Sequence, residues 1–385
     1  MILIKKGDLV ISGINVEKGA MAIYNGDDDI LATIHYSSYI INKNKIDLEF
    51  LEIYLKSQNF INTLKEQVPG GIKTEIKPKH ILTLVIEIPE SVEEQKLFTA
   101  KFQQIKTTQN SLQNELISQQ HLIKKLKQAY LTEALNGTLP IPANSPAQAT
   151  TESPSTQSEA PLSFKPAPNK HLKPITPSEI PFQIPKNWKW CRLGQVVELA
   201  RGKSKHRPRN DISLFINGII PFIQTGDVAR SKNTNYLIDS IHSYYNEHGL
   251  KQSCLFEKGT LCITIAANIA ECGFLNFRAC VPDSIVIVKP NNNVNIKLIF
   301  YYLLISKSEI QKFAPATAQK NINLEILNEL IFPLPPLQQQ QQIVARLDQL
   351  MAVCDSLETE NKTNLARCNE LLQANLQESL EGGTN

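Results

Sequence analysis

Six basic residues crowd into nine positions: Arg201, Lys203, Lys205, His206, Arg207 and Arg209. Cations at this density suit a loop that grips phosphate groups, and an arginine among them could reach the O6 and N7 acceptors of guanine. The same run also describes a solvated surface loop, the commoner origin of a short basic stretch. A little downstream, Gln224, Thr225, Gly226 and Asp227 follow an apolar run. A glutamine amide can pair with adenine N6 and N7, and a glycine permits close backbone approach. A plain strand-ending turn explains the same four residues equally well. A third polar stretch carries Thr317, Gln319, Lys320 and Asn321, which match Gly71, Lys73, Thr74 and Glu75 at a separation of 246 residues. Lys73 and Thr74 are therefore candidates of the same kind. Polar side chains on such loops suit base edges, and simple connecting loops carry them as often.

Other chemistries find no footing. There is no G-x-x-x-x-G-K-[ST] phosphate loop, no Asn-Pro-Pro-aromatic motif, and no convincing Ser/His/Asp or metal-ligand set. The seven histidines are scattered, and the seven cysteines form no C-x-x-C pair. The cysteines read as reduced thiols, with Cys272 and Cys280 as buried apolar fillers. No cofactor is called for, and any catalysis would come from partners. The formal net charge is only +3, so a basic footprint must be local. No apolar run approaches the ~20 residues of a membrane span, and the expectation is a soluble, cytoplasmic protein with no membrane association.

Two long helices organise the rest. IFPLPPLQQQQQIVARLDQL, 331–350, and IEIPESVEEQKLFTAKFQQI, 86–105, share one design: an apolar run, prolines, then a helical pattern. Ile76 matches Ile322, Pro89 matches Pro335 and Gln95 matches Gln341, each at a separation of 246. The chain reads as a tandem repeat of an α+β globule running into a long helix. Its expected segments are a partial first globule over 1–90, a first coiled-coil helix over 91–136, a linker over 137–179, a complete second globule over 180–335 and a second helix over 336–381.

Within that frame, Leu51, Tyr54, Leu55 and Ile61 predict one helix over 48–64. Trp188 and Trp190 alternate onto one face of a strand as packing residues. On the first long helix Phe98, Phe102, Ile105, Leu112, Leu116, Ile123, Leu126 and Tyr130 fall on heptad positions, interrupted by Gln109 and Gln119. A long core helix in an ordinary bundle is the competing reading. On the second, Ile343, Leu347, Leu350, Cys354 and Leu357 keep register; Asn361 and Asn364 weaken it, and Leu365 and Cys368 resume after a stutter. Gln338 to Gln342 reads as a solvated first turn. Eleven of the 22 prolines lie between Pro140 and Pro185, so that linker holds neither helix nor inner strand. Lys6-Gly7-Asp8-Leu9 aligns with Lys258-Gly259-Thr260-Leu261. On that alignment the first unit lacks roughly 73 residues that the second possesses, which predicts unpaired strand edges and exposed core.

IPFQIPKNWKWCRLGQVVELARGKS (180–204), IPFIQTGDV (220–228), KGTLCIT (258–264) and FPLPPLQQQQQIVARLD (332–348) together resemble the specificity subunit of type I restriction–modification enzymes. The resemblance implies tandem target-recognition domains, the first incomplete, each followed by a long helix, with the two helices forming an antiparallel coiled coil. It implies recognition of a split site on double-stranded DNA. It also implies docking of methyltransferase (modification) subunits and of a restriction subunit that cuts and translocates, with no catalysis by this chain. It turns the basic run from a solvated loop into a candidate DNA contact. A helix of ~40 residues measures ~60 Å and a turn of DNA ~34 Å, so domains at opposite ends could face half-sites one to two turns apart. A different class stays open: a non-reading scaffold or decoy that binds methyltransferase subunits without productive recognition. A stand-alone DNA-modifying enzyme is disfavoured by the missing motifs.

Overall fold

The computed structural model describes residues 1–13, 20–67, 81–142, 172–313 and 322–381. It divides into two units, Met1–Ile123 with Ser356–Asn385, and Lys124–Asp355. Both are α+β, as the alternating short apolar runs predict.

In the first unit β1 (Ile2–Ile4) pairs antiparallel with β4 (Ile30–Ala32). A three-stranded sheet has β2 (Leu9–Ser12) between β3 (Met21–Ile23) and β5 (Tyr36–Tyr39). Two helices, α1 (Leu48–Leu55) and α2 (Gln58–Gln67), pack on it through Phe50, Leu51, Tyr54, Phe60 and Leu64. The single helix expected over 48–64 is thus broken. Ser57 accepts a hydrogen bond from the Phe60 amide at 3.1 Å, and a serine cap starts a new helix more readily than it continues one. The chain then enters α3 (Val92–Asn136), 45 residues long.

The second unit opens with β6 (Lys189–Arg192), α4 (Leu193–Val196) and β7 (Val197–Arg201). β8 (Ile220–Pro221), α5 (Thr225–Arg230), β9 (Leu237–Ile238), β10 (Tyr244–Tyr245) and α6 (Glu247–Lys251) follow. Then come β11 (Leu255–Phe256), β12 (Leu261–Thr264), β13 (Cys272–Leu275), β14 (Ala279–Cys280) and β15 (Ile285–Pro290). The unit closes with α7 (Ile296–Lys312), α8 (Leu324–Glu329), β16 (Ile331–Leu334) and α9 (Leu337–Glu381). Its main sheet has the order β7-β15-β12-β13-β9, antiparallel except for the β13–β9 edge. β12 reads LCIT and is buried at every residue, as a central strand covered on both faces must be. Trp188 is buried and donates its Nε1–H to Gln339 Oε1 at 2.8 Å. Trp190 is only half-buried, against Phe182, so the two tryptophans do not share one environment.

The repeat reaches into individual hydrogen bonds. Gln95 accepts from the Asp47 amide at 2.8 Å and donates to the carbonyls of Lys45 at 3.1 Å and Pro89 at 2.9 Å. Gln340 accepts from the Asn295 amide at 2.8 Å and donates to the carbonyls of Asn293 at 3.1 Å and Pro335 at 2.9 Å. Both side chains are fully buried. The counterpart of Gln95 is therefore Gln340, not Gln341. The glutamine run is no solvated turn either: Gln338 faces solvent, while Gln339 holds Trp188 and Gln340 clamps the helix to its globule.

The helices pair antiparallel inside each unit. In the first, Gln109 Nε2 donates to the Cys368 carbonyl at 2.8 Å and Asn361 Nδ2 donates to Gln119 Oε1 at 3.1 Å. As one chain rises the other falls. In the second, Lys127 meets Asp355 at 2.6 Å. The seams differ from the sequence reading in detail. Leu112, Leu126 and Leu357 are 48%, 38% and 43% exposed, which takes them off the contact face. On α9 the inward positions run Leu347, Met351, Cys354, Glu358, Asn361, Leu365, Cys368, alternating steps of four and three. Asn361 is a buried seam residue, so no stutter is needed. Hydropathy predicts these leucines inward; here polar side chains pair across the seam instead.

Candidate nucleic-acid interface

β7 carries the basic loop out of the main sheet. Arg201 is its last residue, paired in register with Val286 of β15. Gly202 then passes so close to β15's approach that a Cβ would lie 2.3 Å from the Val281 carbonyl oxygen. Only glycine fits there, and the Gly202 and Lys203 amides donate to the carbonyls of Ile285 at 2.9 Å and Val281 at 2.8 Å. Ser253 Oγ donates to the Lys203 carbonyl at 2.7 Å, and the His206 amide donates to Gln252 Oε1 at 3.0 Å. The loop is built, not merely tethered at its ends.

Its charges are arranged in two classes. Arg209 meets Asp283 at 2.7 Å, and Arg207 reaches the same carboxylate at 3.6 Å. Arg207 also donates to the carbonyls of Ser204 at 2.7 Å and His206 at 2.8 Å. His206 Nε2 lies 2.6 Å from Asp211 Oδ2. Asp211 also accepts from the Ser213 amide, and these hydrogen bonds, the backbone one first, draw its carboxyl down from 3.8 to about 2. Among the described residues Arg201, Lys203 and Lys205 have no ion-pair partner, and Arg201 and Lys205 are exposed. These cations are available to an outside anion, while Arg207 and Arg209 are pre-oriented by Asp283 with guanidinium N–H groups to spare.

Gln224 caps α5. Its backbone amide donates to Asp227 Oδ2 at 2.7 Å, and its side-chain amide donates to Ser243 Oγ at 2.9 Å. Asp227 is buried, closely paired with Arg230, and 3.8 Å from His242 Nδ1. Gly226 sits in the first helical turn, where a Cβ would meet only the Arg230 guanidinium at 3.3 Å, so no close backbone approach demands it.

The two sequence candidates converge. Arg209, Gln224 and Thr225 line one open cleft of about 820 Å³, together with Asn217, His242 and Tyr244. Arg201, Lys203, Lys205 and Arg207 belong to the adjoining loop and do not line it. Lys73, Thr74, Thr317, Gln319 and Lys320 lie outside the described residues. Sequence reasoning missed Asn217, His242, Tyr244 and the neutralising Asp283. Asn217-Gly218 is a turn signal, and Asn217 takes a left-handed φ of 53° there. Tyr244 is brought in by pairing with Pro221 across β8 and β10, a two-residue ladder too short to read from alternation. The cleft combines amide, hydroxyl and imidazole groups with the aromatic rings of Phe215, Phe222 and Tyr244 and an arginine. That set can hydrogen-bond base edges while its rim holds a phosphodiester backbone.

Residues 185–367 match the type I restriction modification DNA specificity domain, a span that contains the whole cleft and basic loop. The type I restriction enzyme EcoDI specificity subunit of Escherichia coli is 27% identical over 354 residues, 90% of this chain and 72% of that one. The domain match and these relatives support a type I specificity subunit. The fold agrees. A chain solved in work on complex assembly and conformational transition of the type I R-M system superposes with a TM-score of 0.72 at 19% identity, covering 98% of this chain and 82% of that one. The HsdS subunit from Thermoanaerobacter tengcongensis gives 0.60 at 19% identity, over 99% and 82%. The cleft is thus part of a DNA specificity domain. Within it Cys272 and Cys280 are buried, as expected of fillers, and burial raises the Cys280 thiol to about 11. No helix among the described residues is long and apolar enough to cross a membrane.

Proposed function

We propose that this specificity subunit reads DNA sequence through the cleft of its second unit and directs methyltransferase and restriction subunits to a bipartite site. It contributes no catalytic group of its own and works in the cytoplasm. The observation that carries the reading is the convergence of Arg209, Gln224 and Thr225 on one cleft inside the matched domain. Arg201, Lys203, Lys205, Arg207 and Arg209 hold phosphates and fix register; Gln224 and Thr225 read base edges. Thr317, Gln319, Lys320, Lys73 and Thr74 are further DNA contacts in this proposal. The segments 1–90 and 180–335 are its recognition domains, 91–136 and 336–381 its helices, and 137–179 the linker. The outer faces of α3 and α9 are the docking surfaces for methyltransferase subunits. The test is selection from randomised duplexes by the chain bound to a type I methyltransferase subunit. A defined enriched motif is expected. Enrichment no greater than for the methyltransferase subunit alone overturns the proposal.

A further inference from the structure

One buried carboxylate ties two edges of the cleft together. Asp227 Oδ2 accepts from the Gln224 amide at 2.7 Å, and Oδ1 is closely paired with the Arg230 guanidinium. Asp227 is 4% exposed, so this charge-assisted pair anchors Arg230 on the body of the domain. Arg230 in turn reaches His242, its Nη2 lying 3.3 Å from the ring's Nδ1. His242 belongs to the connection between β9 and β10, and its neighbour Ser243 is held twice. The Ser243 carbonyl accepts from the Phe222 amide at 3.0 Å, and its Oγ accepts from Gln224 Nε2 at 2.9 Å. The imidazole itself is 71% exposed and lines the cleft with Gln224 and Thr225. It is fixed at its base and along one edge, and its other edge is open.

The identity of that partner decides which nitrogen carries the proton. A guanidinium has five N–H donors and no acceptor. Nδ1 must therefore accept from Arg230, which leaves the proton on Nε2. Asp227 Oδ1 is 3.8 Å from Nδ1, too long for a hydrogen bond that would draw a proton there. Among the described residues the Nε2–H has no partner. His242 thus presents to the cleft a donor and no acceptor.

The major-groove edges of the four bases answer that demand differently. Guanine presents only acceptors, N7 and O6. Cytosine presents an amine, adenine sets an amine beside N7, and thymine sets a methyl beside O4. We propose that His242 is a base-reading residue of the cleft and donates its Nε2–H to a guanine. A phosphate oxygen would accept the same proton, but the unpaired cations Arg201, Lys203 and Lys205 lie on the adjoining loop, whereas His242 shares the cleft with Gln224 and Thr225. The inference rests on the reading of DNA by this cleft and adds the base that one of its edges selects.

The test selects duplexes from a randomised pool with the chain bound to a type I methyltransferase subunit, and repeats the selection with His242→Phe. Phenylalanine keeps a ring and removes the donor, at a position exposed enough to leave the fold intact. The parent is expected to enrich a G·C pair at one position of its motif, and H242F to lower that preference at least ~5-fold with the other positions unchanged. Nitrogen-15 NMR of the chain at pH 8 is expected to show the His242 Nδ1 without a proton. A motif unchanged in H242F, a lowered preference at an A·T pair instead, or a uniform loss of affinity over all duplexes, the mark of a phosphate contact, overturns the inference and leaves the cleft's reading of DNA standing. So does a proton on Nδ1. A parent that enriches no motif overturns both.

Discussion

Replacing Arg207 and Arg209 by alanine tests the basic loop most sharply. A protein that neutralises phosphates releases counterions, and log K falls against log salt with a slope of about −0.9 per phosphate contact. Losing two contacts therefore flattens the slope by about 1.8, so the fourfold rise from 50 to 200 mM salt costs about 12-fold less affinity than in the parent. The structure adds a second effect. Arg207 and Arg209 share Asp283, at 3.6 and 2.7 Å, and the double variant leaves that carboxylate without either partner beside the cleft. Affinity at fixed salt then falls further, through repulsion of the phosphates. Asp283→Asn acts oppositely: it frees one unit of positive charge and steepens the slope by up to ~0.9, about 3.5-fold over the same salt range. Fluorescence anisotropy of a labelled duplex at several salt concentrations reads both. An unchanged slope in the double variant, or a flatter one in D283N, refutes the assignment of these arginines to phosphates.

Three other outcomes follow from the same geometry. Gln340→Ala leaves an amide and two carbonyls without partners and is expected to destabilise the second unit by about 2–4 kcal/mol. Both tryptophans, Trp188 and Trp190, lie in that unit, so urea unfolding followed by fluorescence checks it; a shift under ~0.5 kcal/mol would contradict the clamp. Asp211 is held at about 2, below its ordinary 3.8, so its stabilising contacts are complete above pH ~4 and fade as pH falls from there toward 2. A carboxyl carbon NMR titration with its midpoint near 3.8 would refute this. All seven cysteines are buried, so the native chain is expected to react with a thiol reagent at pH 8 only as fast as it opens, and rapid modification of any one would contradict that burial.

The architecture was legible where the sequence carried long-range or periodic signals. Two proline-led helical patterns sufficed to place α3 and α9. The basic loop was legible as a charge density, and Gln224 as a polar residue after an apolar run. What could not be read was partnership across distance. Asp283 lies 74 residues from Arg209, and nothing local marks it as the counter-charge. Gln340 is one of five consecutive glutamines, and only the buried site beneath it distinguishes it from Gln341. The α9 seam was misread at Leu357 and Asn361 because hydropathy assigns the leucine inward, whereas the asparagine finds Gln119 across the helix pair. Short elements such as β8 and β10, two residues each, have no period to detect, so Tyr244 stayed hidden.

The central claim is that DNA bases enter the cleft between the basic loop and α5. A photoreactive phenylalanine analogue placed at Thr225, on the cleft wall, tests it directly in the chain bound to methyltransferase subunit and duplex. Crosslinks confined to nucleotides within the enriched motif, and lost on a scrambled duplex, are the expected result. Crosslinks spread evenly over any duplex, or none at all while the complex still forms, would contradict the claim.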